Sequence, residues 1–171
     1  VCLQIPRNTN EFYESAVSFG DFANMLADFD ATQLYEILPN FHNTVVRFKN
    51  FEKALENNLS NRAHMAKPEI EFALARKGIT NKIVSLIESK DMPLKVTHND
   101  TKLNNVLLDE KTLKGLAVID LDTVMPGSVC YDFGDSIRFG AATAAEDETD
   151  LSKMHFDISL FEAYAKGFLE E

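Results

Sequence analysis

Over the first ninety residues, apolar positions recur three or four apart, the spacing of an amphipathic helix. Phe12, Ala16, Phe19, Ala23 and Leu26 mark a first helix running to about Phe29, with Asn8 as its cap and Glu11 three residues on. Leu38-Pro39-Asn40-Phe41-His42 reads as a loop, because Pro39 disfavours helix in the residue before it. Asn43 or Thr44 caps a second helix with Val46, Phe48, Phe51 and Leu55 facing inward. Pro68 suits the first turn of a third helix and Gly78 its end. Thr80 to Lys90 places Ile83, Leu86 and Ile87 on one face of a fourth. The phenylalanine stripes, among them Phe12, Phe19, Phe48 and Phe51, are assigned to the core.

At Pro93 the pattern shortens to strands. Leu94 to Thr97, Val106 to Leu108 and Leu116 to Ile119 are three strand candidates, and Asp109-Glu110-Lys111-Thr112 fits the turn of a hairpin between the last two. Helix returns from about Tyr131 to Phe139, and a last amphipathic helix runs from about Asp157 to the end. Glu146 to Asp150 is an acidic run that reads as a solvated loop. The order of elements, many helices, a short hairpin, then more helices, predicts a mostly helical α+β chain without repeats or low-complexity linkers.

Composition narrows the partners. The 171 residues are 45% hydrophobic and 26% charged, values of a globular chain. The formal charge of −10 is a poor match for nucleic acid or an anionic membrane, which need a basic face. From residue 101 onward there are 14 acids and 6 bases, a local −8, which leaves −2 for the first hundred residues. Two isolated cysteines, Cys2 and Cys130, read as reduced. No basic-then-apolar start and no apolar run of about 18 residues is present. The expectation is a cytoplasmic protein. The chain opens on Val1 rather than Met, which raises the expectation of a fragment.

The informative stretch is Thr97-His98-Asn99-Asp100-Thr101-Lys102-Leu103-Asn104-Asn105-Val106, a His-x-Asp-x-x-x-x-Asn loop between strands. Ile119-Asp120-Leu121-Asp122 follows at the end of the hairpin. Phosphoryl transfer from ATP needs these residue types: a carboxylate that orients a hydroxyl and accepts its proton, and an amide and second carboxylate that converge on Mg²⁺. Asp100 and Asn105 share one tight loop, and the hairpin returns Asp120 to the same edge. Mg²⁺ keeps several waters, so few protein ligands suffice. Lys102 is placed to offset the charge of the transferred group. Asn99, Asn104 and Asp109 are read as turn residues.

On these motifs, residues 96–140 resemble the C-terminal lobe of the aminoglycoside phosphotransferase and choline kinase superfamily, relatives of the protein kinases. The likeness continues through Tyr131-Asp132-Phe133-Gly134-Asp135. Within the superfamily, Leu38 to Thr44, Asp100 to Asn105 and Ile119 to Gly127 are most similar to the N-acetylhexosamine 1-kinase branch. The resemblance implies Asp100 as catalytic base, Asn105 and Asp120 as Mg²⁺ ligands with Asp122 as a further one, and ATP as co-substrate. It implies supporting roles for His98 and for Asp132, which would brace the loop by accepting backbone N–H bonds. Asp132-Phe133-Gly134 spells the protein-kinase metal motif, but it comes too late and opens a helix. His42 is either a sugar-pocket residue or part of a helix start. Arg138 and Phe139 are candidates for the acceptor site, and His64 and His155 for the surface.

A kinase also uses a glycine-rich phosphate-covering hairpin, a strand lysine and a helix glutamate. The sequence supplies none of these, so residues 1–171 are expected to form a single, truncated catalytic lobe without its nucleotide-covering partner, inactive alone. The expected reaction of the parent is transfer to the anomeric hydroxyl of an N-acetylhexosamine. A kinase for choline, homoserine, an aminoglycoside or a fructosamine remains open, as does a non-catalytic kinase-like binding module. A metal hydrolase built on His98 and Asp100 lacks a second histidine at ligand spacing.

Overall fold

Asn8 starts the first helix as its sequence predicts: its side-chain oxygen accepts the Glu11 N–H at 3.0 Å, and α1 runs Thr9–Met25. It stops four residues before the expected Phe29. Asp30 instead caps a short 3₁₀ turn, Ala31–Gln33, by accepting the Thr32 N–H, and this local bond competes with continued helix. Residues 1–145 and 147–170 are described, in a computed structural model. The chain divides into two compact units, one of residues 1–37 and 94–171, the other Leu38–Pro93.

The second unit holds three helices, α2 (Thr44–Asn57), α3 (Lys67–Leu74) and α4 (Lys82–Glu88). Asn43 is the cap of α2, accepting the Val46 N–H at 3.1 Å, and Asn58 ends it in a left-handed conformation. The helix starting near Pro68 ends before Gly78, which falls in a separate 3₁₀ turn, Lys77–Ile79. Phe48 and Phe51 pack edge to face at 5.5 Å but are only half-buried, and no residue of α2 is fully buried. The core expected there is a shallow one.

The first unit adds β1 (Lys95–Thr97), β2 (Val106–Leu108), β3 (Gly115–Val118), β4 (Met125–Gly127), α5 (Val129–Gly140) and α6 (Ile158–Leu169). β2 and β3 form the predicted antiparallel hairpin, with Val106 opposite Val118. Asp109 closes its turn by accepting the Lys111 and Thr112 N–H groups. β1 pairs antiparallel with β4, placing Val96 opposite Pro126, a strand the sequence does not announce. Ser128 caps α5, and Asp157 caps α6.

The core of this unit lies between α1, α5 and α6. Phe12, Ala16, Ala141, Leu160 and Tyr164 are buried together, and Phe19, Val106 and Leu108 carry the packing to the hairpin. α1 and α6 approach closely at Gly167, where an added Cβ would lie 2.7 Å from the Tyr13 carbonyl oxygen. Of the acidic run, Glu146 lies outside the described residues. Asp150 caps a 3₁₀ turn, Leu151–Lys153, and Lys153 pairs with Glu148 at 3.2 Å. Cys2 and Cys130 are free thiols. Among the described residues no helix is long and apolar enough to cross a membrane.

Candidate active site

The strand pair β1–β4 delivers the chain into the loop at His98. Asn99 turns it with φ of 67°, a left-handed conformation that a short polar side chain tolerates. The Asn99 amide donates to the carbonyls of Thr97 and Thr123, both at 3.0 Å, which ties the loop to the start of β4. The Thr123 hydroxyl donates to the His98 carbonyl at 2.7 Å. The turn role expected of Asn99 is therefore played by three residues together.

His98 is fully buried, with Phe19 and Phe22 edge-on to its ring at 5.4 and 5.8 Å. Its Nε2 lies 2.9 Å from the Ile119 carbonyl, and its Nδ1 lies 3.3 Å from the Asp100 N–H. A carbonyl only accepts and an amide N–H only donates, so the proton is assigned to Nε2. The imidazole thus links the candidate base to the end of the hairpin. Ile119 is held from the other side as well, its N–H donating to the Asn105 carbonyl at 2.9 Å. The next residue, Asp120, has φ of 62° and ψ of 60°, and its exposed carboxylate has no partner among the described residues.

Asp100 is the point of convergence. One carboxylate oxygen lies 3.2 Å from Lys102 Nζ, with both side chains about a quarter exposed (28% and 27%). The other accepts from Asn105 Nδ2 at 3.1 Å, and the same amide donates to the Asp100 carbonyl at 2.8 Å. This leaves Asn105 Oδ1 available as an acceptor.

Asp132, near the start of α5, braces the loop from behind. It is 4% exposed and accepts the His98 N–H at 2.9 Å and the Asn99 N–H at 2.7 Å, one on each oxygen. Burial pushes its carboxyl up to about 7, the two N–H bonds acting against this and the nearby Asp135 adding to it.

The site was legible in part. His98, Asp100, Lys102, Asn105 and Asp132 come together, and Asp120 is the residue after Ile119, whose backbone bonds to His98 and Asn105. Asp122 is exposed on the 3₁₀ turn that follows Asp120. Among the described residues, no three His, Cys, Asp or Glu side chains gather as a metal-binding group. Asn105 Oδ1 and the exposed Asp120 carboxylate are hard oxygen donors of the kind Mg²⁺ takes in small number, so the residue types fit that ion. Arg138, 52% exposed, pairs with Asp135 one helical turn back, at 3.0 Å. Phe139 lines a surface cavity with Gln4, Ile5, Ala144, Ala145 and Asp147. His42 belongs to the other unit, where its ring packs on Phe41 at 4.6 Å. His64 and His155 are exposed.

Sequence reasoning missed Thr101, Ser136 and Tyr164, all buried behind the loop. Isolated hydroxyl residues carry no periodic signal, and only tertiary pairing reveals them.

A carboxylate, a lysine and an amide on one loop, braced by the first turn of a helix, are residue types that phosphoryl transfer uses. The sequence profile of the phosphotransferase enzyme family matches residues 4–167, and the chain belongs to that family. Among solved structures it is similar to the crystal structure of aminoglycoside-3'-phosphotransferase of type VIII, at 19% identity and a TM-score of 0.49. That match covers 99% of this chain and 56% of the other, so the chain spans just over half that structure's length.

Proposed function

We propose that this chain carries the catalytic loop of an ATP-dependent kinase acting on the anomeric hydroxyl of an N-acetylhexosamine, giving the sugar 1-phosphate. The observation that carries the phosphotransfer reading is the environment of Asp100: a carboxylate held by Lys102 at 3.2 Å and Asn105 at 3.1 Å, at the mouth of a loop whose backbone is fixed from behind. The choice of sugar rests on the branch-level likeness of residues 38–44, 100–105 and 119–127.

In this reading Asp100 orients the acceptor hydroxyl and takes its proton as the bond to phosphorus forms. Lys102 sits beside the same carboxylate and offsets the negative charge that the phosphoryl group brings. His98 and Asp132 do no chemistry and keep Asp100 aimed. Asn105 Oδ1 and the Asp120 carboxylate would hold Mg²⁺, with Asp122 as a further ligand, and the ion would supply charge neutralisation along the phosphates. Arg138 and Phe139 are assigned to the acceptor side. The glycine-rich hairpin and strand lysine that cover nucleotide phosphates are assigned to protein outside residues 1–171, so this chain alone binds ATP weakly and turns over little.

The test is a product analysis. The protein containing this chain together with those elements is incubated with ATP and Mg²⁺ against free N-acetylhexosamines, choline, homoserine, fructosamines and aminoglycosides. ADP release coupled to a sugar 1-phosphate is the expected result. Phosphorylation of a cationic acceptor instead would overturn the sugar assignment and keep the class, and no ADP release with any acceptor would overturn the class.

A further inference from the structure

Thr101 separates the candidate base Asp100 from the candidate charge-neutralising Lys102, and every polar group it owns is held by α5. Its N–H donates to Asp135 Oδ2 at 3.2 Å, its hydroxyl to the Asp132 carbonyl at 2.5 Å, and its carbonyl accepts from the Ser136 hydroxyl at 2.5 Å. Positions 132, 135 and 136 are spaced three and four apart, so they form one face of the helix. The Ser136 oxygen in turn accepts from the Tyr164 hydroxyl of α6 at 2.6 Å. Tyr164, Ser136 and Thr101 are each at most 1% exposed.

The direction of this chain is fixed. The Thr101 carbonyl can only accept, so Ser136 donates its one proton there and must accept from Tyr164. Burial pushes the Tyr164 phenol far above tyrosine's usual value, so it keeps that proton. Packing alone does not explain the hydroxyl. The Tyr164 ring sits 4.6 Å from Phe12, 5.7 Å from Phe133 and 5.9 Å from Phe168, a pocket in which phenylalanine would serve.

We propose that Tyr164 is a positioning residue, which holds the Thr101 carbonyl through Ser136 and thereby fixes the separation of Asp100 and Lys102. α6 thus acts on the loop through Ser136 of α5. The proposal rests on the phosphotransfer reading for its catalytic consequence, while its structural half stands on the hydrogen bonds alone.

Tyr164→Phe removes one oxygen and leaves the ring. In the active protein kcat should fall about tenfold with KM for both substrates unchanged, the mark of lost alignment rather than lost binding. Hydrogen exchange of the Thr101 amide should quicken about fivefold while amides of β2 and α1 keep their native rates. Should Tyr164→Phe not fold, Ser136→Ala removes the middle hydroxyl and carries the same expectations. Native exchange at Thr101, or exchange that rises uniformly through the unit, overturns the relay. Native kcat with selectively faster exchange overturns its catalytic role. Turnover surviving in Asp100→Ala would sink the phosphotransfer reading instead, and the exchange result would still judge the relay.

Discussion

Asp132→Asn keeps the size and shape of the side chain that braces the loop and removes one acceptor. Both carboxylate oxygens are used, at 2.9 Å from the His98 nitrogen and 2.7 Å from the Asn99 nitrogen. An amide has one carbonyl oxygen, so its NH₂ group must face the second N–H, donor against donor. At pH 5 the native group is a neutral acid whose two oxygens still accept, and a buried donor left unpaired costs about 1–3 kcal/mol, so the variant should lose about that much at pH 5. The penalty should depend on pH. Burial raises the folded carboxyl to about 7 from an ordinary 3.8. Between those values the folded chain holds a proton that the unfolded chain releases. The stability from this group is therefore full below about pH 4 and is lost as pH rises through 7, an upper bound of about 4 kcal/mol. The substituted amide does not titrate, so the gap between the two proteins should shrink from pH 5 to pH 8. Urea unfolding followed by far-ultraviolet circular dichroism at pH 5, 6, 7 and 8 reads this directly, and titrations common to both proteins cancel in the difference. Equal stability at pH 5, or parallel pH profiles, would refute the bracing argument.

Two further substitutions test the scaffold. Gly167→Ala pushes a methyl group to 2.7 Å from the Tyr13 carbonyl oxygen, so α1 and α6 must separate; a loss of about 1–3 kcal/mol is expected in chemical unfolding, and unchanged stability would contradict the close approach. His98→Phe fills the pocket between Phe19 and Phe22 but strands the Ile119 carbonyl and the Asp100 N–H. It should cost about 2–4 kcal/mol and loosen Asp120, read as faster exchange of the Ile119 amide; native exchange there would show that His98 does not anchor the hairpin end.

The parts legible in the sequence were those where local chemistry and tertiary structure agree. Asn8, Asn43 and Asp157 are caps by residue type and caps in the fold. The hairpin of β2 and β3 follows from two short apolar runs around an Asp-led turn. The Asp100–Asn105 spacing placed both side chains on one loop, where they meet. β4 was illegible because Met125-Pro126-Gly127 carries turn residues, and proline cannot donate to a ladder; it works in a two-stranded pair, where one side of the strand needs no donor. The α2 phenylalanines look like core residues by spacing, yet the second unit is too thin to bury them fully. Tyr164 appears in the sequence only as one apolar position among Leu160, Phe161 and Phe168, and its hydroxyl acquires meaning from Ser136 across the core. Arg138 is engaged by Asp135, a partner three residues away that the motif does not reveal.

The central claim is that Asp100 accepts the proton of the acceptor hydroxyl. Its most direct test is the rate of ADP formation by Asp100→Ala in the active protein, with ATP, Mg²⁺ and the phosphorylated acceptor at saturation. Loss of a positioned base, which also removes the partner of Lys102 and Asn105, should lower kcat by about 10²–10⁴-fold with the circular dichroism spectrum unchanged. Turnover within tenfold of the native rate would contradict the assignment.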